Sequence, residues 1–160
     1  MLHSAFSKCY TPTKAKLKTS LSYLCFMQEQ PLIIYDGVCG LCNRSVHFII
    51  RRDSKKQFKF LPLQSNKAIA LMHAFGVDLH KSDSIILLDH NKLFTHSDAV
   101  LLALKKLNSP VRWLYIFIIV PRFIRNAVYR LIAKNRYRWF GRFDSCPIPD
   151  ASIKDRFLSD

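Results

Sequence analysis

The sequence predicts a small α/β sandwich with its elements in the order β-α-β-α-β-β-α, followed by a C-terminal helical extension. Three observations carry that reading. Short apolar runs stop abruptly at Asp36-Gly37, Pro62 and Asp89-His90-Asn91. The stretches between them repeat apolar residues at helical rather than alternating spacing. The last two runs are joined by a short polar turn, as in a hairpin, and strands interleaved with helices build layered α/β folds.

Each element has its own signature. Leu32-Ile33-Ile34-Tyr35 is an apolar, β-branched run closed by Asp36-Gly37, which reads as a buried strand entering a turn. From Gly40 to Arg52, Leu41, Cys42, Val46, Ile49 and Ile50 fall at helical spacings. Phe58, Phe60 and Leu61 make a second strand that Pro62 ends; Asn66 to Phe75 is helical, with Gly76 as its stop. Ser84-Ile85-Ile86-Leu87-Leu88 is a third strand, Asp89-His90-Asn91-Lys92 turns, and Leu93-Phe94-Thr95 returns beside it. Ser97-Asp98 then caps a helix from about Ala99 to Leu107.

Residues 110–143 change character, with eight Arg or Lys residues and no acid. Trp113 to Val120 is an unbroken apolar run of eight residues. That is far short of the ~20 needed to cross a bilayer as a helix, and Pro121 interrupts it. Beyond it, Ile124, Ala127, Val128, Leu131 and Ile132 recur at 3-4 spacing, with Arg125, Arg130 and Lys134 mostly elsewhere on the wheel. The expectation is one or two amphipathic helices packed on the sandwich with a cationic outer face. The tail, with Cys146-Pro147-Ile148-Pro149, reads as irregular until a last short turn near Phe157.

Length and composition bound the rest. At 160 residues, 49% apolar and 22% charged, the chain can bury a core as one domain, which excludes wholesale disorder. Seven prolines and four glycines exclude a fibrous or low-complexity chain. Twenty-five Lys and Arg against 11 Asp and Glu leave a formal charge of +14, which directs attention to anionic partners: nucleic acid, anionic lipid or an acidic small molecule. Five cysteines, an odd number without a secretory h-region, point to reduced thiols in a cytosol-like compartment. Residues 1–30 carry Lys8, Lys14, Lys16, Lys18, seven Ser or Thr and one acid, Glu29, without apolar periodicity. They read as an N-terminal extension, with Met27 as a natural alternative start; the competing reading is an organellar transit peptide, although these favour Arg and the stretch has none. The domain expected over 31–108 is thus flanked by this extension and by a basic helical extension over 109–160.

The chemistry concentrates in Tyr35-Asp36-Gly37-Val38-Cys39-Gly40-Leu41-Cys42. Cysteines at i and i+3 lie within one helical turn, close enough to bond. Cys39 is expected at the helix N-terminus, where free N–H groups and the macrodipole favour a thiolate, and Cys42 a turn inside, more shielded. Cys39 is therefore the candidate attacking nucleophile and Cys42 the resolving thiol. The rival is half of a zinc site, which lacks a second such pair, although His47 and Cys146 are available. His47 reads better as a partly buried packing residue, and Cys146 as an idle cysteine rather than a third redox thiol. Asp36 has two readings: a base or electrostatic tuner of a nearby sulfur, or a turn former whose carboxylate bonds backbone N–H groups.

Tyr35 to Asn43, then Ser97-Asp98-Ala99, then Asn135-Arg136-Tyr137 with Phe140-Gly141 and Cys146-Pro147 together resemble the thiol-disulfide oxidoreductase DCC family. The resemblance covers about Leu32 to Leu158. It implies a thioredoxin-like fold, with Cys39 and Cys42 as the redox pair and Asp36 as a signature acid. One departure from the wider thioredoxin pattern stands out: before the third core strand, where a cis-proline is usual, the chain reads Ser82-Asp83-Ser84-Ile85. That puts thioredoxin-style substrate docking in doubt and leaves Asp83 as a polar substitute or strand cap. In glutaredoxin-like folds a polar pair at the start of the helix after the hairpin holds the γ-glutamyl carboxylate of glutathione. Ser97 and Asp98 are accordingly candidate glutathione-binding residues, beside the plainer N-cap role.

The expected function is thiol-disulfide exchange on a protein or small-molecule disulfide, with no metal or bound organic cofactor and glutathione as a candidate co-substrate. The alternative is a non-catalytic binding module with a structural dithiol or zinc clip and a basic surface for acidic lipid or protein. Tyr129-Arg130 and Tyr137-Arg138-Trp139-Phe140 favour core packing first, weak anionic-membrane association second and specific nucleic-acid binding a distant third.

Overall fold

A computed structural model describes residues 30–77, 85–145 and 151–158. The expectations for the N-terminal extension with Cys9 and Cys25, for Asp83 and for Cys146 lie outside the described residues.

Strand β1 (Leu32–Tyr35) leads to helix α1 (Gly40–Arg52), β2 (Lys59–Pro62), α2 (Asn66–Ala74), β3 (Ile86–Asp89), β4 (Lys92–Thr95) and α3 (His96–Lys106). A 3-10 helix (Pro110–Ile119), helix α4 (Arg122–Phe140) and a 3-10 turn (Lys154–Arg156) follow. The four-stranded sheet has the order β2-β1-β3-β4; β1 and β2 are parallel and the other pairs antiparallel. A parallel pair needs a crossover, which α1 supplies. These are the order and directions of a thioredoxin-like fold.

Central β1 is buried on both faces, which explains its unbroken apolar sequence. Ile33 and Tyr35 join a core with Val46 and Ile49 of α1 and Ala99 and Ala103 of α3. Leu32 and Ile34 face the other way, onto Ala68, Leu71 and Met72 of α2. Ser65 caps α2, its hydroxyl accepting from the Ala68 N–H at 3.1 Å. The β3–β4 hairpin turns through His90 and Asn91, whose φ angles of 46° and 60° suit a two-residue turn of the type that matches strand twist.

Two sequence expectations need correction here. Helix α3 begins at His96 with Thr95 as its N-cap, so Ser97 lies inside the first turn rather than capping it. More consequentially, α4 is turned the other way about. Arg125 and Arg136 are its buried residues, while Ile124, Val128, Leu131 and Ile132 are exposed. The reason is that the inward polar groups find specific partners. Arg125 binds Asp98 at 2.7 Å and the Val120 carbonyl at 2.8 Å, and Asn126 accepts from Ser97 at 2.6 Å. The Tyr129 hydroxyl accepts from the Ile85 N–H at 3.1 Å. The apolar inner faces of α1 and α3 are already spent on the sheet, so α4 docks by hydrogen bonds.

The tail seals the β2 edge. Phe157 stacks near Phe60 (5.5 Å between ring centroids), and the Leu158 N–H donates to the Phe60 carbonyl at 3.0 Å. Arg156 reaches inward to a buried ion pair with Asp53, whose carboxylate also accepts from the Phe58 N–H at 3.1 Å. Strand β2 starts at Lys59, one residue later than the sequence predicts. Removing Arg156 would leave a buried carboxylate without its counter-charge. Arg156→Ala is expected to cost about 3 kcal/mol in chemical denaturation; a loss under about 0.5 kcal/mol would show that the pair is not holding the tail.

Candidate active site

The site forms where β1 hands over to α1. The Asp36 carboxylate organises the turn: Oδ1 accepts from the Val38 N–H at 3.2 Å and from Gln64 Nε2 at 2.8 Å. Gln64 in turn accepts from the Gly37 N–H at 3.0 Å. The other oxygen, Oδ2, accepts from the Tyr137 hydroxyl and from Arg136 Nη2 at 3.2 Å, both at the end of α4. The turn-forming geometry of Asp36 is therefore present, and the same carboxylate ties the turn to α4. Asn43 closes the loop from inside α1, donating to the carbonyls of Gly37 at 2.6 Å and Cys39 at 3.0 Å.

Cys39 is the N-cap residue of α1 and Cys42 lies in its first turn, as the spacing predicts. Both are free thiols, and they lie close enough for the Cys39 sulfur to act on the Cys42 thiol. Their burial departs from expectation: Cys39 is 0% exposed and Cys42 7%, so the attacking candidate is the more covered of the two. What covers it is the chain after α4. Gly141, at φ 77°, turns that chain back across the α1 N-terminus. The Gly40 N–H donates to the Gly141 carbonyl at 3.2 Å, the Phe143 N–H donates to the Val38 carbonyl at 2.8 Å, and Cys39 pairs as an isolated bridge with Arg142. A Cβ on Gly40 would stand 2.2 Å from the Phe140 carbonyl oxygen. Only glycine between the cysteines allows this approach.

The electrostatics are polarised. Burial, the neighbouring Cys39 sulfur and the hydrogen bond to it push the Cys42 thiol from its ordinary 9.0 up to about 12; Arg136 pulls the other way and Asp36 adds to the rise. Burial works against the charge of Arg136, but the Tyr137 hydrogen bond and the charges of Tyr137, Cys42 and Asp36 raise it overall, so the guanidinium stays charged. Tyr137 is also raised, by burial first and then by its bond to Asp36, and stays a neutral donor.

Ser97 and Asp98 engage α4: Ser97 Oγ accepts from Arg125 Nη1 at 3.2 Å, and Asp98 also pairs with Arg122 at 3.4 Å. His47 is exposed rather than packed, on the outer face of α1 with Arg44, Phe48, Arg51 and Arg52. Among the described residues no group of three or more His, Cys, Asp or Glu side chains could hold a metal ion. Conversely, Gln64 and the direct contact of Arg136 and Tyr137 with Asp36 were not foreseen. Gln64 carries no sequence signal; Arg136-Tyr137 was visible as a motif without a role.

The sequence pattern of the DCC1-like thiol-disulfide oxidoreductases matches residues 33–142, from β1 through the strap that covers Cys39. The chain belongs to that family. It is 39% identical over 127 residues to the Bacillus subtilis protein YuxK, described as uncharacterized, covering 79% of this chain and 93% of that one. It is 34% identical over 121 residues to a chloroplastic DCC family protein of Arabidopsis thaliana, covering 75% and 70% respectively. No solved structure matches it. The DCC match spans Asp36, both cysteines and Arg136-Tyr137, so the residues that meet in space all lie within the matched stretch.

Because the folded Cys42 thiol holds its proton to about 12 while an unfolded one releases it near 9.0, the folded state binds more protons between those values. The stabilisation is full below pH 9 and is lost as pH rises toward 12. Reduced wild-type protein is therefore expected to lose stability across that window more steeply than Cys42→Ala, read as thermal midpoint against pH. Parallel curves would remove Cys42 as the cause.

Proposed function

We propose that this DCC family protein carries out reversible thiol-disulfide exchange through Cys39 and Cys42. The observation that carries the proposal is the pair of neighbouring free thiols at the strand-helix junction, with Cys39 at the helix N-cap and Cys42 held protonated. Cys39 attacks a substrate disulfide as the thiolate; its new S–S bond forms as the substrate's breaks, and the first substrate thiolate leaves with the electron pair. Cys42 then attacks the Cys39 sulfur, its proton passing to the departing second thiol. The substrate gains two electrons and the pair becomes a disulfide, which an external dithiol or glutathione reduces again. Arg136, whose charge favours the Cys42 thiolate, assists the second attack, and Asp36 positions Arg136 and Tyr137.

Substrate access needs the strap at 141–143 to lift, since it covers Cys39. On an artificial disulfide, Cys39→Ser is expected to abolish reductase activity, and Cys42→Ser to stop at a trapped mixed disulfide. Phe143→Pro, which removes the N–H bonded to Val38, is expected to speed Cys39 alkylation severalfold. Intact activity in Cys39→Ser would overturn the assignment.

The burial of both thiols favours a second reading, a non-catalytic module with a structural dithiol. One zinc per chain in anaerobically purified protein, lost with stability in Cys42→Ser, would establish it; a metal-free, titratable dithiol supports exchange.

No described helix is long and apolar enough to cross a membrane. For location we propose a reducing, cytosol-like compartment, where free thiols persist. The Arabidopsis relative's chloroplastic description favours an organelle as the second reading, with the N-terminal residues as transit peptide. A fluorescent protein fused behind residues 1–30 is expected to stay diffuse; import into an organelle would reverse the choice.

A further inference from the structure

We propose that the outer face of the C-terminal extension is a docking surface for an anionic membrane, on which the protein lies without crossing it. The inverted polarity of α4 carries this. Helix α4 turns buried arginines inward and leaves Phe123 (72% exposed), Val128 and Leu131 in solvent. The 3-10 helix before it has no buried residue at all. Side chains three apart eclipse in a 3-10 helix, so Trp113, Ile116 and Ile119 form one ridge, 73%, 61% and 78% exposed. Large apolar side chains this exposed, on two consecutive elements, exceed the scattered exposure normal for a soluble surface.

Charge selects the occupant. From Pro110 to Phe143 there are eight cations and no acid. Arg112, Arg130, Lys134 and Arg138 are exposed around the apolar ridges. A second copy of the chain would bring the same cations face to face, and each copy carries a formal charge of +14. An anionic lipid surface instead complements the cations while accepting the apolar tips between its headgroups, with the long basic side chains reaching back to the phosphates. The ridges project rather than line a cleft, which suits a fluid partner better than a folded one. The opposite face of α4 holds Arg136 against Asp36, so docking would keep the dithiol site about one helix diameter, ~10 Å, from the lipid.

The test uses the full chain and vesicles of phosphatidylcholine with or without phosphatidylglycerol. Both tryptophans, Trp113 and Trp139, are exposed in the extension and report directly. Expected are co-sedimentation and a blue-shifted emission with phosphatidylglycerol vesicles at low salt, weakened about tenfold on phosphatidylcholine alone or at raised salt. Ile119→Glu combined with Leu131→Glu is expected to weaken binding at least about tenfold while leaving the thermal midpoint and the dithiol's alkylation rate unchanged. Absence of binding at low salt would overturn the proposal. So would binding indifferent to lipid charge and to the double variant, or a concentration-dependent dimer without lipid that the double variant makes monomeric.

Discussion

One carboxylate binds together parts of the chain that lie a hundred residues apart. Asp36 receives the Val38 amide from its own turn, Gln64 from beyond β2, and Arg136 and Tyr137 from the end of α4. Of these donors Arg136 is buried and would lose water without a partner, so the carboxylate is what makes the close approach of α4 to the α1 N-terminus tolerable. Gly40 makes it sterically feasible, because its missing side chain admits the Phe140 carbonyl. The shape of the dithiol site, its cover and its local field all descend from this junction.

The junction also explains a tension in the site's chemistry. A redox dithiol needs contact with its substrate, yet the chain from Gly141 to Phe143 closes over Cys39 through backbone hydrogen bonds. The cover is short and held by few bonds. Beneath it the sulfurs are shielded from water, which keeps Cys42 protonated, with the Arg136 charge acting against that rise. On the exchange reaction proposed above, reactivity would depend on local opening, the low-cost end of a fold's motions.

Helix α4 shows how a short polar interface can override hydrophobic patterning. Its apolar residues fall at helical spacing, and the ordinary outcome is that such a stripe faces the core. The core, however, is complete without it: α1 and α3 cover one face of the sheet and α2 the other. Arg125 and Asn126 against Ser97 and Asp98 at one end, and Arg136 against Asp36 at the other, set the rotation of the helix. The apolar stripe is left outside as a consequence.

The sequence by itself determined the α/β order, the bounds of β1 and α1, the hairpin turn and the position of both cysteines at a helix start. These depend on neighbours along the chain: apolar runs, 3-4 spacing, and turn residues such as Asp36-Gly37 and His90-Asn91, whose preferences act within a few residues. Only the tertiary structure decided which way α4 faces, that Gln64, Arg136 and Tyr137 converge on Asp36, and that Cys39 is covered rather than exposed. Hydrophobic periodicity counts apolar residues but does not record whether the core still has room for them, and a carboxylate's donors are chosen by distance in space. Arg156 teaches the same lesson. This tail residue, to which the sequence assigns no role, is held inside because Asp53, more than a hundred residues earlier, is buried there and needs its charge.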